Sequence, residues 1–190
     1  MPDLITPALV RLDAALGNSK HDVIRSLATL LGDGGRADDV DRLVTDACSR
    51  EQLSATGLAC GIAIPHCRTT GVDEPTLAFA RLAPGVDFGA SDGPADLVFL
   101  VTAPAGGGAD HLQILTRLAR ALVKPAFPDE LRRAESADDV VALINRELGL
   151  TPDPAAAAAP DAVDPAAARS TRTGAAHPAA SPDGPAPSPP

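Results

Sequence analysis

The chain has 190 residues, with 25 acidic against 16 basic side chains, a net charge of −9 and a pI near 4.7. That balance excludes nucleic acid as the main partner, because phosphate backbones demand a concentrated basic surface. Aromatics at 2% with no Trp or Tyr also remove the stacking platforms that single strands or sugar rings need.

In chain order, Leu9 to Leu12 reads as a first short strand. Asn18 or Ser19 can then cap a helix whose Val23, Ile24, Leu27, Leu30 and Leu31 recur at three- and four-residue spacing, ending at Gly32 and the Gly34-Gly35 pair. A second helix is expected from Asp38, with Val40, Leu43, Val44 and Ala47 on one face and Arg50 in its last turn. Leu58 to Ile64 reads as an extended segment that Pro65 stops, since proline gives no N–H to a ladder and holds Ile64 extended. Leu77 to Leu82 is a further strand, Pro84-Gly85 carries turn chemistry, and Asp96 to Thr102 is an apolar run of buried-strand length ended by Pro104. Ala105 to Gly108 is a loop. Asp110 opens a helix carrying Leu112, Ile114, Leu115, Leu118, Ala119 and Leu122, with His111 in its first turn. A short helix around Asp129 to Ala134 precedes a last one that opens at Ser136 on a capping box with Asp139 in place of Glu and ends at Gly149. Strands interleaved with helices imply an α/β layer fold in which helices cover a mainly buried sheet.

From Thr151 onward the chain is mostly Ala and Pro, with 10 of the 19 prolines, and it has almost nothing large and apolar to bury. The expectation is one folded domain over residues 1–150 and a disordered tail or linker over 151–190. Three cysteines without framework spacing point to a reducing compartment. No basic-then-apolar leader opens the chain, and no run approaches the roughly 18 apolar residues of a membrane span. The reading is cytoplasmic, with no direct membrane insertion and membrane contact only through a partner.

Of the four histidines, His21 reads as a first-turn surface residue and His177 falls in the tail. His66 is placed at the mouth of a strand, at the start of a loop, where reactive groups tend to sit. His111 opens a helix, whose N-terminal N–H groups and partial positive charge suit a phosphate. Both follow sheet segments, so their loops can meet at one end of the sheet. Arg50 and Arg68 flank His66 in sequence, and a neutral imidazole near cations suits an incoming phosphoryl group. Gly57 and Gly61 allow close backbone approach. Glu51 reads as a surface or capping carboxylate, and Phe88 and Phe99 as core. Cys60, Cys67, His66 and His111 lack the close spacing of a structural zinc site, so no metal and no cofactor is expected.

Arg50-Glu51-Gln52-Leu53 with Gly57, then Gly-Ile-Ala-Ile-Pro-His at 61–66, Phe88-Gly89-Ala90-Ser91-Asp92-Gly93, the Leu97 to Val101 strand and Asp110-His111-Leu112-Gln113-Ile114-Leu115 together resemble one family across nearly all of residues 1–150. It is the enzyme IIA domain of the fructose and mannitol class of the phosphoenolpyruvate-dependent sugar phosphotransferase system. The resemblance implies a mixed sheet flanked by helices on both faces. It implies a phosphocarrier in which His66 becomes the tele-phosphohistidine, taking its phosphoryl group from the carrier HPr and giving it to a cysteine of a IIB domain that serves the membrane IIC permease. By the same resemblance His111 and Arg50 assist the phosphate without being phosphorylated. Arg68, from its place beside His66 in sequence alone, is a further phosphate-binding candidate. The sugar expected is fructose. The alternative is a nitrogen-type regulatory IIA protein that signals by the phosphorylation state of His66. One residue departs from the family pattern: Cys67 stands where glycine usually follows the histidine, which narrows backbone freedom or sets a thiol beside the site.

A nucleophilic histidine must be neutral, with one ring nitrogen fixed as a donor, for which a backbone carbonyl is the expected partner. Phosphoryl transfer asks the protein mainly for in-line positioning and charge stabilisation. Arg50, His111 and backbone N–H groups are the donors in view.

Overall fold

The computed structural model describes residues 3–106 and 109–150, with the side chains of 109–111 outside that description. The tail from 151, His177 and the Gly107-Gly108 part of the expected loop lie outside the described residues.

A 3-10 turn at Pro7–Leu9 leads into β1 (Val10–Ala14), one residue later than the sequence suggests because Pro7 starts a tight turn that Leu9 closes. Helix α1 (Lys20–Asp33) begins on Ser19, whose hydroxyl accepts from the Asp22 N–H while Asp22 reaches back to the Ser19 N–H. Helix α2 (Val40–Leu53) begins on Asp39, whose carboxylate accepts from the Arg42 N–H, and carries Arg50 in its last turn as expected. The stretch read as one extended segment is a hairpin, β2 (Gly57–Leu58) against β3 (Ile62–Ala63). Cys60 and Gly61 turn it with φ of 66° and 73°, the left-handed region that glycine enters without strain.

Strand β5 (Thr76–Val86) and strand β6 (Ala95–Pro104) form the antiparallel centre. Pro84-Gly85 does not end β5. Between Arg81 and Val86 the strand takes five steps while its partner takes two, from Leu97 to Ala95, so the extra residues bulge outward and pairing resumes. The sheet order is β1-β5-β6-β3-β2, with β4 (His66–Thr69) also on β6. It is mixed: β1 runs parallel to β5, and β3 and β4 run parallel to β6.

Side chains alternate between the two faces of a strand, and the run from Leu97 to Ala103 is buried at every position. Both faces of the sheet are therefore covered, by α1, α2, α3 (Ala109–Leu122), α4 (Ala126–Arg133) and α5 (Ala137–Leu148). Phe79 and Phe99, directly paired across the ladder, meet at 5.0 Å between ring centres with planes at 56°, an edge-tilted contact favoured by the ring quadrupoles. The capping box at Ser136 and the left-handed Gly149 bound α5 where the sequence puts them.

Polar clamps fasten one end of the sheet. Arg132 grips both oxygens of Asp96 at 2.7 Å and donates to the Cys60 carbonyl at 2.6 Å. Arg81 pairs with Asp13 and caps the end of α4 through the Leu131, Arg132 and Ala134 carbonyls. Among the described residues no helix is long and apolar enough to cross a membrane.

Candidate functional site

His66 lies inside the sheet's ladder, contrary to the expectation of a loop beyond the strand. Ile62 pairs with Leu97, Ala63 with Val98, His66 with Val101 and Cys67 with Thr102, each pair separated by the same 35 positions. Segments β3 and β4 are thus one line of chain along β6. Pro65 removes one N–H from that line without shifting its register, and its carbonyl still accepts from the Val101 N–H at 3.0 Å. A histidine held by pairs on both sides of a proline has far less backbone freedom than one in a loop.

The imidazole is fixed by the residue before that proline. An extended residue sends its N–H and C=O to the same side, and Ile64 sends its pair away from β6. Its N–H donates to the Thr56 carbonyl at 3.1 Å, where β2 ends. Its carbonyl has no strand beyond it and instead lies 2.9 Å from His66 Nδ1. A carbonyl can only accept, so Nδ1 carries the proton and the lone pair of the neutral ring is on Nε2.

Alternation along β4 sorts its side chains. His66 is half-buried and Arg68 exposed on one face, while Cys67 and Thr69 are buried on the other. The thiol is therefore not beside the imidazole. Cys67 is 4% exposed, and burial, with smaller contributions from Asp46 and Cys48, pushes it up to about 12. Cys60 is exposed in the hairpin turn, whereas Cys67 is buried. Among the described residues no three His, Cys, Asp or Glu side chains are grouped as metal ligands would be.

Helix α2 packs against β4 and carries half-buried Arg50, whose Nη1 donates to the Ser54 carbonyl at 3.2 Å. Arg68 donates to the Ala105 carbonyl at 2.7 Å, and the Ala105 N–H donates to Thr69 at 2.9 Å. The end of β4 is thereby tied to the turn that leads into α3. His111 is in the first turn of α3 as expected, and its side chain lies outside the described residues. Arg68 has five donors and commits one group of them to this tie, so it is a strap as much as a phosphate candidate. His21 is exposed at the start of α1.

One residue of this region is not where the sequence puts it. Glu51 is 1% exposed, accepting from the Thr56 hydroxyl at 2.5 Å, the Thr56 N–H at 3.3 Å and Lys20 Nζ at 3.2 Å. The signal was present: the buried stripe Leu43, Val44, Ala47 reaches position 51 at the next turn. Gly57 serves its expected purpose, since a Cβ there would stand 2.8 Å from both Phe88 O and Ala90 N.

Two large apolar side chains are exposed on the elements that carry Arg50 and His111. Leu53, at the end of the α2 turn that carries Arg50, is 84% exposed, and Leu112, next to His111, is 67% exposed. Two clefts border α3, one of about 530 Å³ reaching Asp3, Glu74 and Asn145, and neither is lined by a residue of β3 or β4.

Residues 3–147 match the family described as "Phosphoenolpyruvate-dependent sugar phosphotransferase system, EIIA 2". The chain is 45% identical over 123 residues to the "PTS system fructose-specific EIIA component" of Haloferax volcanii, covering 64% of this chain and 80% of that protein. It is 36% identical over 145 residues to the "PTS system fructose-specific EIIABC component" of Bacillus subtilis, where the match takes 76% of this chain but only 23% of the longer protein. Among solved structures, the nitrogen regulatory protein IIA-Ntr of Neisseria meningitidis superposes with a TM-score of 0.68 at 30% identity, over 74% of this chain and 96% of that one. The IIA component in the Escherichia coli complex of enzyme IIA mannitol with phosphorylated enzyme IIB mannitol superposes at 0.63 with 25% identity, over 75% and 97%. The chain belongs to the type 2 EIIA family of the phosphoenolpyruvate-dependent sugar phosphotransferase system.

Proposed function

We propose that the chain is a cytoplasmic phosphocarrier of fructose uptake whose working atom is His66 Nε2. The observation that carries this reading is the 2.9 Å contact between His66 Nδ1 and the Ile64 carbonyl, which leaves the nucleophilic lone pair on the other ring nitrogen. In the first transfer the N–P bond of phosphohistidine in HPr breaks as the bond from phosphorus to Nε2 forms. In the second that bond breaks as a IIB cysteine thiolate takes the phosphoryl group and goes on to serve the membrane permease. Arg50 and His111 neutralise the charge of the passing group, and Arg68 adds a third donor at the edge. The exposed Leu53 and Leu112 provide apolar area for protein partners. Residues 1–150 form the carrier domain in this reading, with 151–190 as tail or linker.

Fructose is favoured by the 45% identity to a relative bearing that name, and the IIB partner by the likeness to a IIA protein solved with phosphorylated IIB. Incubation with phosphoenolpyruvate, enzyme I and HPr is expected to add one acid-labile, base-stable phosphate. Retention of that label in His66→Ala refutes the site.

A second reading, a nitrogen-type regulator signalling through the same histidine, is favoured by the TM-score of 0.68 to a nitrogen regulatory protein. Phosphoprotein that labels no IIB cysteine yet binds another protein according to His66 phosphorylation would replace transport with regulation.

A further inference from the structure

We propose that Glu51 is a positioning residue that, through Thr56, sets the proton on the imidazole of His66. The inference deepens the phosphocarrier reading, since only the ring with its lone pair on Nε2 offers that atom to phosphorus.

The chain of contacts is short and continuous. Thr56 is held at two points by the buried Glu51 carboxylate, through its hydroxyl at 2.5 Å and its N–H at 3.3 Å. The Thr56 carbonyl in turn receives the Ile64 N–H at 3.1 Å. Ile64 then presents its own carbonyl to His66 Nδ1 at 2.9 Å. Lys20 Nζ, 3.2 Å from Glu51 Oε1, balances the carboxylate from α1.

The position of the Ile64 carbonyl is not secured by the ladder alone. Pro65 contributes no N–H on the β6 side, and β2 extends only over Gly57–Leu58, so Ile64 takes its lateral backbone bond from Thr56, through the N–H of the peptide that precedes its carbonyl. Glu51 holds the peptide of the Thr56 carbonyl on the Thr56 side, and the Gly57 N–H, donating to the Phe88 carbonyl at 3.1 Å, holds it on the other. A charged residue 1% exposed at the end of a helix is costly to retain for packing alone. With its oxygens on Thr56 and Lys20 the charge is satisfied, and the geometry is transmitted two residues from the histidine.

The test reads the ring nitrogens of His66 by 15N NMR on the full chain at about pH 8.5, some two units above the ordinary imidazole pKa of about 6.5. Wild-type protein is expected to show Nδ1 protonated. In Glu51→Ala the ratio of the Nδ1–H to the Nε2–H form is expected to fall about fivefold, the factor one ordinary hydrogen bond supplies, with faster amide exchange at Ile64. Thr56→Ser keeps the hydroxyl and is expected to keep the wild-type ratio. Should Glu51→Ala not fold, Thr56→Val carries the same expectation with the shape preserved. A merely structural Glu51 would lower the unfolding midpoint and leave the ratio alone. A folded Glu51→Ala or Thr56→Val with the wild-type ratio overturns the proposal. Uptake of phosphate by wild-type protein is measured separately, and its failure would sink the phosphocarrier reading without touching this comparison.

Discussion

The thiol of Cys67 makes the stability of this protein fall in alkali, in a window set by its burial. An exposed thiol ionises near 9.0, and in the folded chain Cys67 is pushed up to about 12 by burial, then by Asp46 and Cys48. Below pH 9 the thiol is protonated in both states, and its contribution to stability is constant. Between 9 and 12 only the unfolded chain gains by ionising, so stability declines with rising pH, with a limiting slope of about 1.4 kcal/mol per unit. From pH 8 to pH 10 the loss from this one group is about 1.4 kcal/mol. The chain has no tyrosine, so the phenol titration near 10 that complicates most proteins is absent here. Half-buried Cys48 is also raised, chiefly by desolvation, and adds a loss of the same sign. The assay is urea unfolding under reducing conditions at pH 8 and pH 10, for wild-type protein and Cys67→Ala. The variant is expected to be less stable at pH 8 and to lose about 1.4 kcal/mol less than wild type on going to pH 10. Equal losses would refute the reasoning, as would alkylation of native Cys67 as fast as that of exposed Cys60. The burial also bears on the proposed transfer, because a thiolate next to a phosphohistidine would compete with the partner's cysteine, and strand alternation removes it to the opposite face.

Gly57→Ala is expected to cost about 1–3 kcal/mol in urea unfolding, because the new Cβ would meet backbone atoms at 2.8 Å that cannot yield as a side chain can; Gly106→Ala, with open space around it, is the control, expected within about 0.5 kcal/mol of wild type. Arg50→Ala is expected to leave the unfolding midpoint nearly unchanged and to slow phosphate uptake from phospho-HPr by about 10²-fold, the usual cost of one lost charge-stabilising donor. Arg68→Ala, which releases the Ala105 carbonyl, is expected to speed amide exchange at Ala105 while costing under about 1 kcal/mol, since the bond is exposed.

Helix boundaries were legible in the sequence wherever a local residue closes the end, by its side chain or by its backbone. Ser19, Ser136 and Gly149 act within three residues of themselves, so no distant contact can override them. The central strand was legible too, because a run buried on both faces has no polar alternation to disguise it. Pro84-Gly85 misled because turn chemistry is a local preference, and the ladder to β6 on both sides outweighs it by extruding the surplus residues. Glu51 misled because a charged residue is assigned outward by default. Its partners, five residues ahead and 31 residues behind, are what make burial tolerable.

Pro65 is the most instructive case, because the expected interruption occurs while the loop expected after it does not. Proline does interrupt pairing, and the ladder is broken into β3 and β4 at that point. Yet a parallel register is a property of the flanking pairs, and Ile62, Ala63, His66 and Cys67 keep one offset against β6. A single interruption therefore does two things at once. It leaves the Ile64 carbonyl near an imidazole two residues on, while the resumed pairing at Val101 keeps that imidazole's backbone from drifting. A histidine in a free loop would have to be ordered by each incoming partner, at a cost of about 1–2 kcal/mol for every residue fixed. Built into the sheet, it would meet a protein partner with that ordering already complete, as the proposed passage of a phosphoryl group between two proteins in succession requires.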